Sequence, residues 1–242
     1  MSTPPPILVA ILVSHGDRGG ESPNAALATQ AARVRELTGL TVLTGMLKGE
    51  PTLEEAVSEA AATGTSRIVV YPLFMADGYF VKKVRERANT VADSLEPVVL
   101  APLGIDPALP DILVDEAVSL AQREKIEPSD ARLLIVGHGS KLGPASASAT
   151  RKVAARAALA RRFASVSTAF LEEEPFLEDA LRTSNAPTIV AGFFFGDGMH
   201  AAEDVPDAIA ETCANAVYTG AIGDSPAIAR LIATALVTSS DS

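Results

Sequence analysis

Short apolar runs alternate with longer segments of helical periodicity along the whole chain. The runs are the length of buried strands, and the segments between them place apolar residues at helical spacing. Predicted strands cover 7–14, 41–47, 67–74, 97–101, 132–138, 165–171, 187–195 and 215–219. Predicted helices cover Ala25–Leu37, Leu53–Ala62, Phe80–Leu95, Pro110–Gln122, 145–162, 176–183, 201–213 and 226–238. This alternation indicates right-handed βαβ units around parallel sheets covered on both faces.

The pattern of the first half returns in the second half. Four segments recur in the same order at offsets of 119 to 124 residues: ILVSHGDRGG and LIVGHGSKLG, MLKGEPTLEEA and FLEEEPFLEDA, IVVYPLFMADG and TIVAGFFFGDG, LGIDPALPDIL and IGDSPAIARLI. A chance match of one apolar run would not keep this register over a whole half. The sequence therefore predicts an α/β protein of two Rossmann-like parallel-sheet halves, a first repeat at 1–125 and a second repeat at 131–242. A cleft between the halves is the natural ligand site for such a fold.

Composition limits the function classes. The chain has 242 residues, 48% of them apolar and 21% charged, which is enough for a substantial core. The net charge of −10 argues against nucleic-acid binding and against anionic membranes, because both need a positive field. A single Cys cannot form an internal disulfide, and the apolar run Ile7–Val13 is too short for a membrane span. We expect a cytoplasmic protein without a targeting segment, and the composition does not indicate its oligomeric state.

Two histidines and an acidic run follow predicted strands of the second repeat. His138 ends LLIVGHGS, His200 follows GFFFGDG, and FLEEEP places Glu172, Glu173 and Glu174 at the end of another strand. Ligands of parallel α/β folds bind beyond the carboxyl ends of the strands. Imidazole is the usual ligand of zinc, cobalt, nickel and iron, and a carboxylate can complete such a site or accept protons. Alternatively, each of these residues is an ordinary member of a polar turn.

Four short motifs of the second repeat, in this order and spacing, resemble those of a known family. HGS at 138–140, FLE at 170–172, GMH at 198–200 and DVP at 204–206 together resemble the CbiX/SirB sirohydrochlorin chelatases. The resemblance covers both halves and is more specific in the second. It implies the class II chelatase fold and a single active site in the second repeat.

The resemblance also implies an activity. Members of the family insert Co(II), Ni(II) or Fe(II) into sirohydrochlorin or a related tetrapyrrole without ATP, in cobalamin- or siroheme-type cofactor biosynthesis. The divalent metal is a substrate, with zinc as an in vitro substitute, and no nucleotide is expected because the chain lacks a P-loop and GxGxxG. The metal-binding and catalytic roles carry over to His138, His200 and Glu172. The FLE-to-Pro spacing is about one residue short, so Glu174 is an open alternative to Glu172.

The motifs are degraded in the first repeat. His15 is present, but Phe80, Val84 and Lys48 stand at the positions that match His200, Asp204 and Glu172. His15 alone cannot form a His-pair site, so we expect this half to form the opposite wall of the cleft.

The stretch YFVKKVRER after Gly78 suggests a different role for the first repeat. We predict that Phe80 stacks on the macrocycle and that Lys82 and Lys83 attract its carboxylates, with His15 and Ser140 as further substrate contacts. Alternatively, these charges are a solvated helix face. The second function class consistent with the residues is a non-catalytic metal- or tetrapyrrole-binding protein on the same fold.

Overall fold

The structure contains two parallel four-stranded sheets, each flanked by helices. The computed structural model describes residues 8–16, 25–90, 95–141, 143–196, 200–212 and 215–240, with the backbone alone at 200, 201 and 240. The strands are β1 Leu8–Ser14, β2 Thr41–Met46, β3 Arg67–Pro72, β4 Val98–Val99, β5 Arg132–Gly137, β6 Ser165–Phe170, β7 Thr188–Gly192 and β8 Ala216–Ala221. The helices are α1 Ala25–Thr38, α2 Leu53–Ala62, α3 Tyr79–Thr90, α4 Leu109–Arg123, α5 Ala145–Leu159, α6 Leu177–Arg182, α7 Val205–Thr212 and α8 Pro226–Ser240.

The two sheets have the same topology. The first has the strand order β2-β1-β3-β4 and the second has β6-β5-β7-β8, with every pair parallel. In both, the first strand of the repeat lies in the middle of the sheet, where its end is flanked by the ends of two neighbours. The predicted fold class, two parallel-sheet α/β halves related by a repeat, is confirmed.

The most apolar strands are the central ones. Every residue of β1 and of β5 is buried, because helices cover both faces of each sheet. One apolar cluster packs Ile11, Val13 and Val70 against Leu53 of α2 and Val84 of α3. The second sheet has the equivalent arrangement, a cluster centred on Leu134, Val136, Leu177, Val190 and Val205. Both cores hold the carboxyl ends of their strands in a fixed arrangement.

Contacts within the chain define two compact units. One comprises Met1–Leu103 and Ala229–Ser242, and the other comprises Gly104–Ile228. Helix α4 accordingly packs against α5, β7 and β8, while α8 from Ala229 onward belongs with the first sheet. The predicted boundary between 125 and 131 marks the sequence repeat, and the contacts group the last helix of each repeat with the other unit.

Some predicted element ends were wrong. The strand predicted to reach residue 195 ends at Gly192, where the pairing with β8 shifts register. A Cβ on Gly192 would come within 2.5 Å of the Tyr218 hydroxyl and 2.6 Å of the Gly220 carbonyl oxygen, so close approach of β8 needs this glycine. The helix predicted from residue 201 begins with a π-helical turn, His200–Asp204, before α7. None of the helices in the described ranges is both long and apolar enough to cross a membrane.

Candidate metal-binding edge of the second sheet

His138 directly follows the central strand β5. Its Nδ1 lies 3.1 Å from the carbonyl oxygen of Gly139, which has a φ of 75°. A carbonyl oxygen only accepts hydrogen bonds, so this contact requires the proton on Nδ1. The lone pair of the neutral imidazole is then on Nε2, the nitrogen that would bind a metal or accept a proton.

The turn after β6 holds Glu172 beside His138. The backbone N–H groups of Leu171 and Glu172 donate to the His138 carbonyl oxygen at 3.3 and 3.0 Å. The Glu172 carboxylate then lies 3.9 Å from His138 Nδ1, with 45% of the Glu172 side chain and 41% of the His138 side chain exposed. That distance is too long for a hydrogen bond. An imidazole and a carboxylate thus lie together at the sheet edge, open to solvent.

The other two glutamates of the turn have different surroundings. The Glu173 carboxylate accepts the Ser140 N–H at 3.3 Å. A Cβ on Gly139 would lie 2.9 Å from Glu173 Cγ, so Glu173 packs on the loop that carries His138. Glu174 is exposed, and its carbonyl oxygen lies 3.5 Å from Arg151 Nη2. Of the two alternatives from the sequence, the geometry favours Glu172 as the partner of His138.

The contact of Glu173 with the loop that carries His138 is one that the sequence did not single out. Glu173 stood only as one of three adjacent carboxylates. Its role depends on a contact with a residue 33 positions earlier. A run of three glutamates contains no signal that distinguishes the one turned toward the loop.

His200 begins the π-helical turn that follows β7. Since β7 pairs directly with β5, the backbone of this turn follows a strand adjacent to the one that His138 follows. The side chain of His200, and residues 197–199 before it, lie outside the described residues. Among the described side chains, no group of three His, Cys, Asp or Glu is arranged to hold a metal. The predicted role of His200 stays a prediction.

The first sheet repeats this backbone geometry with different side chains. Lys48 N–H donates to the His15 carbonyl oxygen at 2.8 Å, as Glu172 N–H does to His138. A Cβ on Gly16, where φ is 72°, would come within 1.8 Å of the Lys48 carbonyl oxygen, so only glycine allows this approach. The repeat therefore places Lys48 at the backbone position that Glu172 has in the second sheet.

The ring of Phe80 is a second difference between the two sheet edges, because it lies against His15. The ring lies edge-on to His15, with centroids 4.6 Å apart at 74°, and stacks near-parallel on Phe74 at 5.9 Å. His15 Nδ1 contacts the Gly16 carbonyl oxygen at 2.9 Å, and His15 Nε2 is buried without a hydrogen-bond partner. The nitrogen that would bind a metal is thus enclosed rather than presented to solvent.

The cations of α3 have separate partners. Arg87 forms a two-point ion pair with Glu54 and donates to the Leu47 carbonyl oxygen. The hydrogen bond from Arg87 lowers the pKa of Glu54, and the same bond raises the pKa of Arg87. Arg85 pairs with Asp77 at 3.1 Å.

The two lysines of α3 also have different neighbours. Lys82 pairs with Glu86 at 3.7 Å on the exposed side of α3. Lys83 Nζ lies 5.5 Å from the centroid of the Tyr79 ring. Of the cations in α3, Lys83 therefore lies beside the aromatic residues.

Two like-folded α/β units, with a histidine after the central strand of each and a carboxylate beside one of them, are the architecture of a two-repeat chelatase-like protein. The chain belongs to the CbiX family, whose model matches residues 9–120 and again residues 132–239. The resemblance seen in the sequence is confirmed, and both repeats are part of it.

Two curated relatives have the same activity in their names. The chain is 25% identical over 222 residues to a probable sirohydrochlorin cobaltochelatase of Halobacterium salinarum, covering 81% of this chain and 75% of the relative. It is 30% identical over 135 residues to a sirohydrochlorin cobaltochelatase of Methanopyrus kandleri, covering 45% of this chain and 94% of the relative. The shorter match is about the size of one repeat.

Solved structures agree with the fold. The structure of CbiX described as the terminal enzyme for biosynthesis of siroheme in denitrifying bacteria has a TM-score of 0.80 and 28% identity, over 95% of this chain and 98% of that one. SirB from Bacillus subtilis has a TM-score of 0.78 at 18% identity, over 94% and 93% of the two chains, and shows the fold alone.

Proposed function

We propose that this protein is a chelatase that inserts a divalent metal ion into sirohydrochlorin or a related tetrapyrrole. Membership of the CbiX family and the names of its relatives support the reaction class. Cobalt is the metal in both curated relatives' names, and nickel and iron are the alternatives. The metal is a substrate of this reaction, so the protein has to hold it and then release it.

The observation that carries the proposal is the pairing of His138 with Glu172 at the carboxyl end of β5. Backbone hydrogen bonds between the two loops fix the carboxylate 3.9 Å from the imidazole, and both side chains remain accessible to solvent. An imidazole nitrogen and a carboxylate oxygen suit the borderline metals of this reaction. We propose His200 as the third ligand, from the turn after the adjacent strand.

An incomplete ligand set is what the chemistry requires. A closed four-ligand cage holds its metal for folding, whereas catalytic sites keep open positions. With two or three ligands from the chain, the ring nitrogens can take the remaining positions and displace the protein step by step. Two pyrrole N–H protons leave the macrocycle as the metal enters. As the metal passes from His138 Nε2 to the ring nitrogens, the Nε2 lone pair becomes free to accept one of these protons, and the Glu172 carboxylate can accept the other.

The first repeat lacks this chemistry for identifiable reasons. Lys48 replaces the carboxylate, and the ring of Phe80 lies against the histidine. An ammonium group repels a divalent cation at short range. We therefore propose one active site per chain, in the second repeat. The roles of Ser140, Lys82 and His15 in binding substrate, the absence of nucleotide and nucleic-acid ligands, and a cytoplasmic location stay predictions.

An absorbance assay tests the function. Purified protein is mixed with sirohydrochlorin and with Co(II), Ni(II) or Fe(II) in turn, anaerobically and without ATP. The expected result is conversion of the macrocycle spectrum to that of the metallated product, faster than in a protein-free control and with many turnovers per chain. Binding of the tetrapyrrole or of the metal without turnover would instead establish the non-catalytic binding protein.

A further inference from the structure

An exposed aromatic cluster lies at the edge of the first sheet, where the second sheet has its metal-binding pair. Phe74 follows β3, and Tyr79 and Phe80 begin α3. The Phe80 ring contacts both others, at centroid distances of 5.9 Å to Phe74 and 5.5 Å to Tyr79. We call Phe74, Tyr79, Phe80 and the adjacent Lys83 the aromatic patch.

The aromatic rings are not the side chains that pack α3 against the sheet. Helix α3 packs on the sheet through Val81, Val84 and Ala88, all of which are buried. Tyr79 is 66% exposed and Phe80 is 42% exposed. Aromatic residues make up only 5% of the chain, and two adjacent ones are left in contact with water. Grouped exposed apolar rings commonly mark a ligand-binding surface.

Charge identifies the kind of ligand. Lys83 Nζ lies 5.5 Å from the Tyr79 centroid, whereas Arg85 and Arg87 are paired with Asp77 and Glu54. An exposed aromatic surface with an ammonium group at its side complements a conjugated ring that carries carboxylates. In a chain with a net charge of −10, such a ligand needs a local cation to offset the general repulsion.

We propose that the aromatic patch binds one face of the tetrapyrrole substrate, with Lys83 pairing a peripheral carboxylate of the macrocycle. This inference rests on the proposed function, because the ligand class comes from the reaction. It goes beyond that function in assigning a task to the first repeat. The Phe80 ring stacks on the macrocycle and Tyr79, whose ring is at 72° to that of Phe80, contacts it edge-on, while the patch takes no part in holding the metal.

Metal-free binding separates this proposal from the chelatase activity. The affinity of the purified protein for sirohydrochlorin is measured by absorbance titration with metal removed, for the wild type and for Phe80→Leu, Tyr79→Ala and Lys83→Gln. Phe80→Leu keeps the apolar contact with His15 and removes only the stacking ring. Leu159→Ala and Arg156→Gln, at exposed positions on α5, are matched controls for loss of an apolar side chain and of a cation.

The expected result is an affinity loss of about tenfold for Phe80→Leu or Tyr79→Ala, since stacking adds to the burial of area. Lys83→Gln should weaken binding by about threefold at low salt and make it less dependent on ionic strength. The two α5 variants should bind as the wild type does. Co(II) binding should be the same in every variant, which shows that each is folded.

Unchanged tetrapyrrole affinity in both aromatic variants and in Lys83→Gln, in a wild type that metallates sirohydrochlorin, would overturn the patch and leave the function intact. A wild type that binds no tetrapyrrole would overturn both. Weaker binding in the patch variants of a wild type without turnover would support the patch on a non-catalytic binding protein.

Discussion

The edges of the two sheets have the same backbone and opposite chemistry. In each, the histidine after the central strand accepts a backbone hydrogen bond from the turn that follows the neighbouring strand. That bond presents Glu172 to His138 in one edge and Lys48 to His15 in the other. The backbone thus fixes where a side chain stands relative to the histidine, and one substitution decides whether the position attracts or repels a cation.

The two histidines also differ in their exposure to solvent. The His138 side chain is 41% exposed, whereas His15 Nε2 is buried beside the Phe80 ring. Loss of the carboxylate and enclosure of the imidazole are separate changes, and either would weaken a metal site. We therefore propose that metal chemistry is confined to the second repeat and that the first repeat binds the macrocycle.

The largest expected effect separates the two histidines. His138→Ala should reduce sirohydrochlorin metallation by about 100-fold or more, because it removes a metal ligand and a proton acceptor together. His15→Ala should cost far less, since its Nε2 is buried. Initial rates under saturating Co(II) measure both. Equal losses in the two variants would mean that both repeats take part in the chemistry.

The next effect concerns the carboxylates of the acidic turn. Glu172→Gln keeps the shape of the side chain and removes its charge, so the affinity for Co(II) should fall by about tenfold or more. Glu174→Gln should lose much less, because Glu174 is exposed and lies farther along the turn. Calorimetric titration with Co(II) compares them. A greater loss for Glu174→Gln would assign the acidic role to Glu174.

A smaller effect is expected where Glu173 holds the loop. Glu173→Ala removes the acceptor for Ser140 N–H and should lower turnover by about fivefold to tenfold, which corresponds to the net contribution of about 1 kcal/mol of a typical hydrogen bond. Glu173→Gln retains an oxygen acceptor and should recover most of the rate. The split between kcat and KM for Co(II) distinguishes positioning from general destabilisation. Failure of Glu173→Gln to recover activity would contradict the positioning role.

The smallest effect is on acid stability. The Arg87 hydrogen bond lowers the pKa of Glu54 in the folded state below its ordinary value of 4.5. The pair therefore stabilises the fold at a pH above that ordinary value, and its contribution is lost as the pH falls through the lowered pKa. Arg87→Met should show a shallower loss of stability in acid than the wild type. Urea unfolding at about pH 7 and about pH 4 checks this. If the stability of Arg87→Met and of the wild type depended on pH in the same way, the Arg87–Glu54 pair would not contribute to the loss of stability in acid.

Patterning alone predicted most of the fold. The alternation of apolar runs and helical segments, together with the repeat, predicted two halves built of βαβ units. Helix α2 begins and ends at the predicted residues, Leu53 and Ala62. The grouping of α4 with the second sheet could not be read this way, since an amphipathic pattern shows that a helix has an apolar face and does not identify its partner.

Part of the candidate site was also predictable from the pattern of strands. His138 and the acidic turn follow strands, so their place at the sheet edge follows from topology. The choice of Glu172 over its neighbours depends on hydrogen bonds to a loop more than thirty residues away. The contact of Phe80 with His15 likewise depends on how α3 begins beside the end of β1. Such side-chain geometry follows from tertiary packing and has no periodic signature.

The most direct test of the account is the number of Co(II) ions bound per chain. Metal-free wild type, His138→Ala and His15→Ala are each titrated with Co(II) in an isothermal calorimeter, at the same protein concentration and pH. One ion is expected for the wild type, none for His138→Ala and one for His15→Ala. One ion retained in His138→Ala, together with none in His15→Ala, would place the metal site in the first repeat and contradict this expectation.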